Sequence, residues 1–139
     1  MNMKKIAVLL FIAFCAVGCE LWVIGTKREK QVEVNQESAL GAIYLFKAEL
    51  DSNNIPAATQ IMARPKGKPY LAVEKYDMYY ELERLRRLIG QMPITYVVAD
   101  SAVLTKTNEH FSVQFDYLYT FIFTTEKINN SWYITSYKH

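Results

Sequence analysis

The chain has 139 residues, enough for one domain. Hydrophobic residues make up 51% of it, with ten Tyr, seven Phe and two Trp, so a real core can form and global disorder is excluded. The formal net charge is +2, and Lys4 and Lys5 account for it; without them fourteen basic residues face fourteen acidic ones, and the basic excess that nucleic-acid binding uses is absent.

The two cysteines, Cys15 and Cys19, both fall in the first twenty residues. The rest of the chain therefore has neither a disulfide nor a thiolate metal site, and its stability must come from packing. Residues 1–5 are short and positive, and residues 6–18 are thirteen uncharged, mostly apolar residues. This is the charged-then-apolar pattern of an export signal. It ends in Ala16-Val17-Gly18-Cys19, which resembles the lipobox of bacterial lipoproteins. In that family the cysteine thiol takes a diacylglyceryl group and the signal is cut just before it. The resemblance implies residues 1–18 as signal peptide, Cys19 as the lipidated first mature residue, and residues 19–35 as a lipidated N-terminus and tether. One departure is Ala16, where the family usually has Leu. A second reading stays open: residues 6–25 number twenty, long enough for an uncleaved signal anchor. Glu20 would sit late in that span, at a cost, with Trp22 beyond it at interface depth. Both readings put the domain on the non-cytoplasmic side of a membrane. Glu20 after the cysteine is not the Asp-type retention signal of enteric bacteria, which favours the outer membrane in a host that has one. Residues 25–31 are polar and charged without apolar periodicity and read as a linker.

Ser38 marks a helix start, with Leu40, Ile43, Tyr44, Phe46 or Lys47, and Leu50 at helical spacing. Asp51-Ser52-Asn53-Asn54 ends it, and Pro56 fits the first turn of a short second helix with Ala57, Ala58, Ile61 and Met62 on its apolar side. Two prolines and a glycine make residues 64–69 a loop. Residues 71–90 predict the longest helix, with Val73, Met78, Leu82, Leu85 and Ile89 inward and a Glu83–Arg87 ion pair outward. Gly90 and Pro93 end it.

Beyond Pro93 the pattern is that of strands. Ile94–Leu104 is rich in β-branched and aromatic residues. Thr105–Glu109 reads as a turn. Phe111–Thr125 alternates as one long strand, with Phe111, Val113, Phe115, Tyr117, Tyr119, Phe121 and Phe123 on the core face. Leu118 and Ile122 lie on the opposite, more polar face. Asn129-Asn130 fits a tight hairpin turn before a last strand, Ser131–Lys138. The order predicts an α+β fold, three N-terminal helices packed on a curved antiparallel sheet.

The helix–turn–helix KAELDSNNIPAATQIM and the final Trp132-Tyr133-Ile134 strand after an Asn-Asn-Ser turn resemble the NTF2-like superfamily, a cone-shaped α+β fold. The resemblance covers roughly residues 36–138. It implies an NTF2-like domain over 36–139 and a pocket between the long helix and the concave sheet. One departure is the segment between the second and third helices, where many members place a strand and only Tyr70-Leu71-Ala72 is available.

Enzymes of that superfamily need a carboxylate or histidine base in the pocket. His110 stands beside a turn and His139 is the last residue. Asp116 lies on the polar strand face. Asp77 and Glu81 share a helix face with Arg84 in pairing distance, which reads as ordinary helical pairing. No catalytic, metal or cofactor set follows, and five scattered glycines form no phosphate loop. Tyr76, Tyr79 and Tyr80 project from the long helix, and the candidate pocket lining is Tyr76 and Tyr80 with Tyr96, Tyr117 and Tyr119 from strands and Trp132. The competing reading is an aromatic core. The expected role is therefore a binding or assembly module of the cell envelope, held to its membrane by lipid. Its partner is a second copy, another envelope protein or a small ligand, and not nucleic acid. The alternative is a small pocket enzyme of isomerase or hydrolase type.

Overall fold

The computed structural model describes residues 31–68, 70–100 and 106–139. The export signal, Cys19 and nearly all of the linker lie outside these residues, as does the C-terminal part of the expected Ile94–Leu104 strand.

Among the described residues three helices precede the sheet. Helix α1 spans Ala39–Asp51, capped by Ser38, whose Oγ accepts from the Gly41 amide at 3.0 Å. Helix α2 is Ile55–Gln60, capped by Asn54 with Pro56 in its first turn. A 3-10 turn at Pro65–Gly67 leads to α3, Ala72–Ile89. Glu74 accepts from the Leu71 amide at 2.7 Å, occupying one donor left free at the α3 N-terminus. The inner face of α3 is Met78, Leu82, Leu85 and Ile89. Val73, expected with them, is 73% exposed, because five residues before Met78 places it about 140° round the helix. The expected Glu83–Arg87 pair is replaced by Glu83–Arg86 at 3.2 Å, one turn apart and equally accessible.

Four strands follow in a single antiparallel sheet of order β1-β2-β3-β4: Ile94–Ala99, Asn108–Phe115, Tyr119–Ile128 and Ser131–Lys138. The alternating run 111–125 is thus two strands and not one. Asp116 and Tyr117 turn the chain with φ of 47° and 59°, and Leu118 N donates to Phe115 O at 3.0 Å. Two positive φ values are the signature of a type I′ turn. The start of β1 captures its amides: Asp116 N donates to Pro93 O, and Tyr117 N to Thr95 Oγ1. Phe115 pairs directly with Tyr119, so three residues separate partners of the same parity. Odd-numbered residues consequently face inward on both strands, and Phe111, Val113, Phe115, Phe121 and Phe123 are all buried. Tyr117, expected among them, is 76% exposed at the turn. Asp116 is likewise an exposed turn residue and not part of a strand.

The core lies between the helices and the inner sheet face. Phe46 meets Phe123 edge-on with centroids 6.2 Å apart, and Phe115 meets Phe121 and Phe123 the same way. Each fully buried Phe contributes about 1.5–3 kcal/mol. Thr125 also faces inward, fully buried, and donates to Glu109 O at 2.9 Å. Lys47 is 6% exposed; its ammonium pairs with Asp51 and lies 5.9 Å from the Phe115 ring centroid. Asp51 also accepts from the Gln91 amide at 2.8 Å, which ties the end of α1 to the end of α3.

A tyrosine in the left-handed region costs about 1–2 kcal/mol that glycine does not. Tyr117→Gly is expected to raise stability by about 1 kcal/mol, read as a higher denaturant midpoint at unchanged slope.

Candidate binding surfaces

The six expected pocket residues do not share a cavity. Tyr76 and Tyr80 lie about 200° round α3 from Met78 and point to solvent, 76% and 67% exposed. Tyr96 is 63% exposed on the outer sheet face, and Tyr117 stands at the β2–β3 turn. Only Tyr119 and Trp132 take inner positions. Trp132 is buried in the core, and half-buried Tyr119 lies 5.9 Å from the His139 ring.

Three other clefts follow the seam between α3 and the last two strands. The first, about 440 Å³, sits at the tip of the β3–β4 hairpin and is walled by Tyr70, Tyr79 and Tyr133 with Lys68 and Lys75. The second, about 380 Å³, shares Met62 and Tyr70 with it and carries Glu74, Asp77 and Glu81 opposite Ser136 and Tyr137. The third, about 530 Å³, is a recess of Leu85, Leu88 and Phe121 with Glu81, Arg84, Tyr137 and His139 around it. Asp77 and Glu81, read from sequence as ordinary helical partners of Arg84, therefore border clefts. His139 is not a free tail: its ring packs 5.0 Å from Phe121. His110 stays in β2 opposite Thr124.

The electrostatics differ from cleft to cleft. Glu74 is held by Arg64 at 2.6 Å, and the Arg64 guanidinium lies 6.0 Å from the Tyr70 ring centroid. Burial pushes the Tyr70 phenol up, with Arg64 opposing. Burial, with the Glu81 carboxylate adding to it, pushes Tyr137 up to about 12, against an opposing pull from Arg84. Among the described residues no group of three or more His, Cys, Asp or Glu could hold a metal ion.

The outer sheet face is the other candidate surface. A row of Val98, Ser112, Ile122 and Lys138 crosses all four strands. Val98 and Ile122 are 41% and 40% exposed, and Tyr96, two residues along β1 from Val98, is 63% exposed. Sequence alternation had placed Leu118 and Ile122 on this face; Ile122 lies there, Leu118 instead belongs to the β2–β3 turn, and Tyr96 and Val98 join Ile122 because β1 pairs Tyr96 with Gln114 and Val98 with Ser112.

Against family models, curated proteins and solved structures, the chain matches none.

Because folding raises the Tyr137 phenol above the ordinary tyrosine value of about 10, the stability it contributes is complete below that pH and is lost as pH rises through about 12. Denaturation of the wild type is expected to grow easier across this window. Tyr137→Phe is expected to lessen that dependence and to remove the latest component of the tyrosinate absorbance titration.

Proposed function

We propose that this chain is a membrane-anchored lipoprotein of the bacterial cell envelope whose NTF2-like domain serves as a non-catalytic binding and assembly module. The lipidation reading rests on Lys4-Lys5, the apolar run 6–18 and Ala16-Val17-Gly18-Cys19. The NTF2-like reading is supported by three helices ahead of an open antiparallel sheet and by Trp132-Tyr133-Ile134 in the last strand. The observation that carries the assembly role is the outer sheet face, where Tyr96, Val98 and Ile122 lie exposed between Ser and Thr side chains. Apolar side chains grouped on one sheet face mark a surface that another protein covers. A sheet face can also meet a copy of itself across a two-fold axis.

Native mass spectrometry of the full chain, extracted gently from its membrane, tests both halves. The expected species is residues 19–139 plus acyl chains; an intact chain without lipid would show the uncleaved anchor instead. The expected assembly is a dimer or a defined complex with another envelope protein. Ile122→Lys places a charge in the middle of the face and is expected to shift that assembly to the single chain while leaving the thermal midpoint nearly unchanged, since Ile122 is half exposed. Retention of the assembly by Ile122→Lys would remove the outer face from the role.

A further inference from the structure

From the cleft at the tip of the β3–β4 hairpin we infer a binding site for an anionic saccharide, meaning a sugar that carries a carboxylate or a phosphate. The site is separate from the outer sheet face and does not rest on the assembly role.

The cleft is built from three separate parts of the chain. Helix α2 and the residues after it supply Thr59, Gln60 and Met62. The 3-10 loop and the first turns of α3 supply Lys68, Tyr70, Lys75 and Tyr79, and the hairpin supplies Asn129 and Tyr133. Contacts on both sides pin the loop. The Lys66 amide donates to both carboxylate oxygens of Glu126, at 3.0 and 3.2 Å. Gly67, at φ +65°, packs so near Ile128 that an added Cβ would stand 3.1 Å from its Cγ2. Arg64 ties the same loop to Glu74 of α3. The backbone at Arg64–Gly67 is therefore held before any ligand arrives, which lowers the ordering cost of binding.

Charge selects the ligand's sign. Lys68 and Lys75 line the cleft with no carboxylate among its other lining residues. Neither lysine forms an ion pair among the described residues. The nearby acids Glu74 and Glu126 are already engaged, by Arg64 and by the Lys66 amide. Asp77 and Glu81 line the adjoining cleft and not this one, and two cations without an ion-pair partner favour an anion.

The remaining lining points to the ligand's body. Tyr70, Tyr79 and Tyr133 offer flat rings with a hydroxyl at the edge. The Gln60 and Asn129 carboxamides each both donate and accept, as sugar hydroxyls do. A bare inorganic anion would leave the rings and carboxamides unused, and a fatty anion would make no use of the exposed carboxamides. At about 440 Å³ the cleft falls within the size of small-molecule sites, roughly 300–1,000 Å³.

The test is titration calorimetry on the full chain in detergent, with trigalacturonate and glucose 6-phosphate as probes and maltotriose as the uncharged control. At least one anionic probe is expected to bind, more tightly than maltotriose and less so in high salt. The double variant Lys68→Gln/Lys75→Gln is expected to weaken that binding by about tenfold or more, since two charge-assisted contacts are lost. Both lysines are exposed, so the variant should melt like the wild type. Tyr79→Ala should weaken binding of the anionic probe without changing its salt dependence. Equal affinity for charged and uncharged sugars, unchanged affinity in the double lysine variant, or no binding of either anionic probe would each overturn the assignment. So would capture of phosphatidylglycerol vesicles that depends on both lysines in the absence of any sugar binding, which would assign the charge to a membrane surface.

Discussion

Strand β4 has partners on both of its edges, and the architecture depends on this. On one side it pairs with β3. On the other, Trp132 N donates to Gln36 O at 2.8 Å, Ile134 N donates to Ile61 O, and Ala63 N donates to Ile134 O, each at 3.0 Å. An open sheet ends in unpaired backbone groups that invite association. Here the segments flanking α1 and α2 take up that edge, so the same hydrogen bonds that protect the sheet also fix the helices upon it. The inner side chains of β4, Trp132 and Ile134, are buried as a result. The Pro65–Gly67 loop follows directly from Ala63, so the hairpin-tip cleft inherits its position from this edge.

The close approach of the N-terminal segment to α1 has its own requirement. A Cβ on Gly41 would stand 2.6 Å from the carbonyl oxygens of Glu33 and Asn35. Glycine in a helix normally weakens it. Here it lets the chain cross the helix and lay Gln36 against β4. The sequence reading assigned Gly41 no role, because the contact it permits is not local to the helix.

The elements themselves were legible wherever local chemistry decides them. Ser38 caps α1 as read, Gly90 ends α3, and Asn129-Asn130 makes the last hairpin with φ of 49° and 68°; Asn54, read only as part of the turn after α1, also caps α2. The β2–β3 turn was not legible, since Asp116-Tyr117 carries no glycine and sits inside an unbroken apolar alternation. Its inward residues were still assigned correctly, Tyr117 excepted, because Phe115 pairs with Tyr119 and the parity survives the turn. The candidate site was far less legible. Exposed tyrosines on α3 and β1 look the same in a sequence as tyrosines lining a pocket. The clefts join Lys68, Lys75 and Tyr79 to Tyr133 across more than fifty residues, and no spacing rule connects those positions. Helical spacing offered Phe46 or Lys47 for one inward position and both are buried; what the sequence did not show is that the Asp51 carboxylate and the Phe115 ring make the buried lysine tolerable.

The Gln36–Trp132 contact also determines how the domain bears load. Gln36 is joined to β4 by two hydrogen bonds, its own carbonyl accepting at 2.8 Å and its Nε2 donating to Trp132 O at 2.9 Å. Tension reaching the domain along the chain ahead of α1 meets first the packing of Glu33 and Asn35 over Gly41 and then this pair. The bonds flank a buried tryptophan, so peeling Gln36 away would uncover one rim of the core before any strand of the sheet parted from its neighbour. The domain thus has a mechanical weak point at its N-terminal entry, and the four-stranded ladder lies behind it.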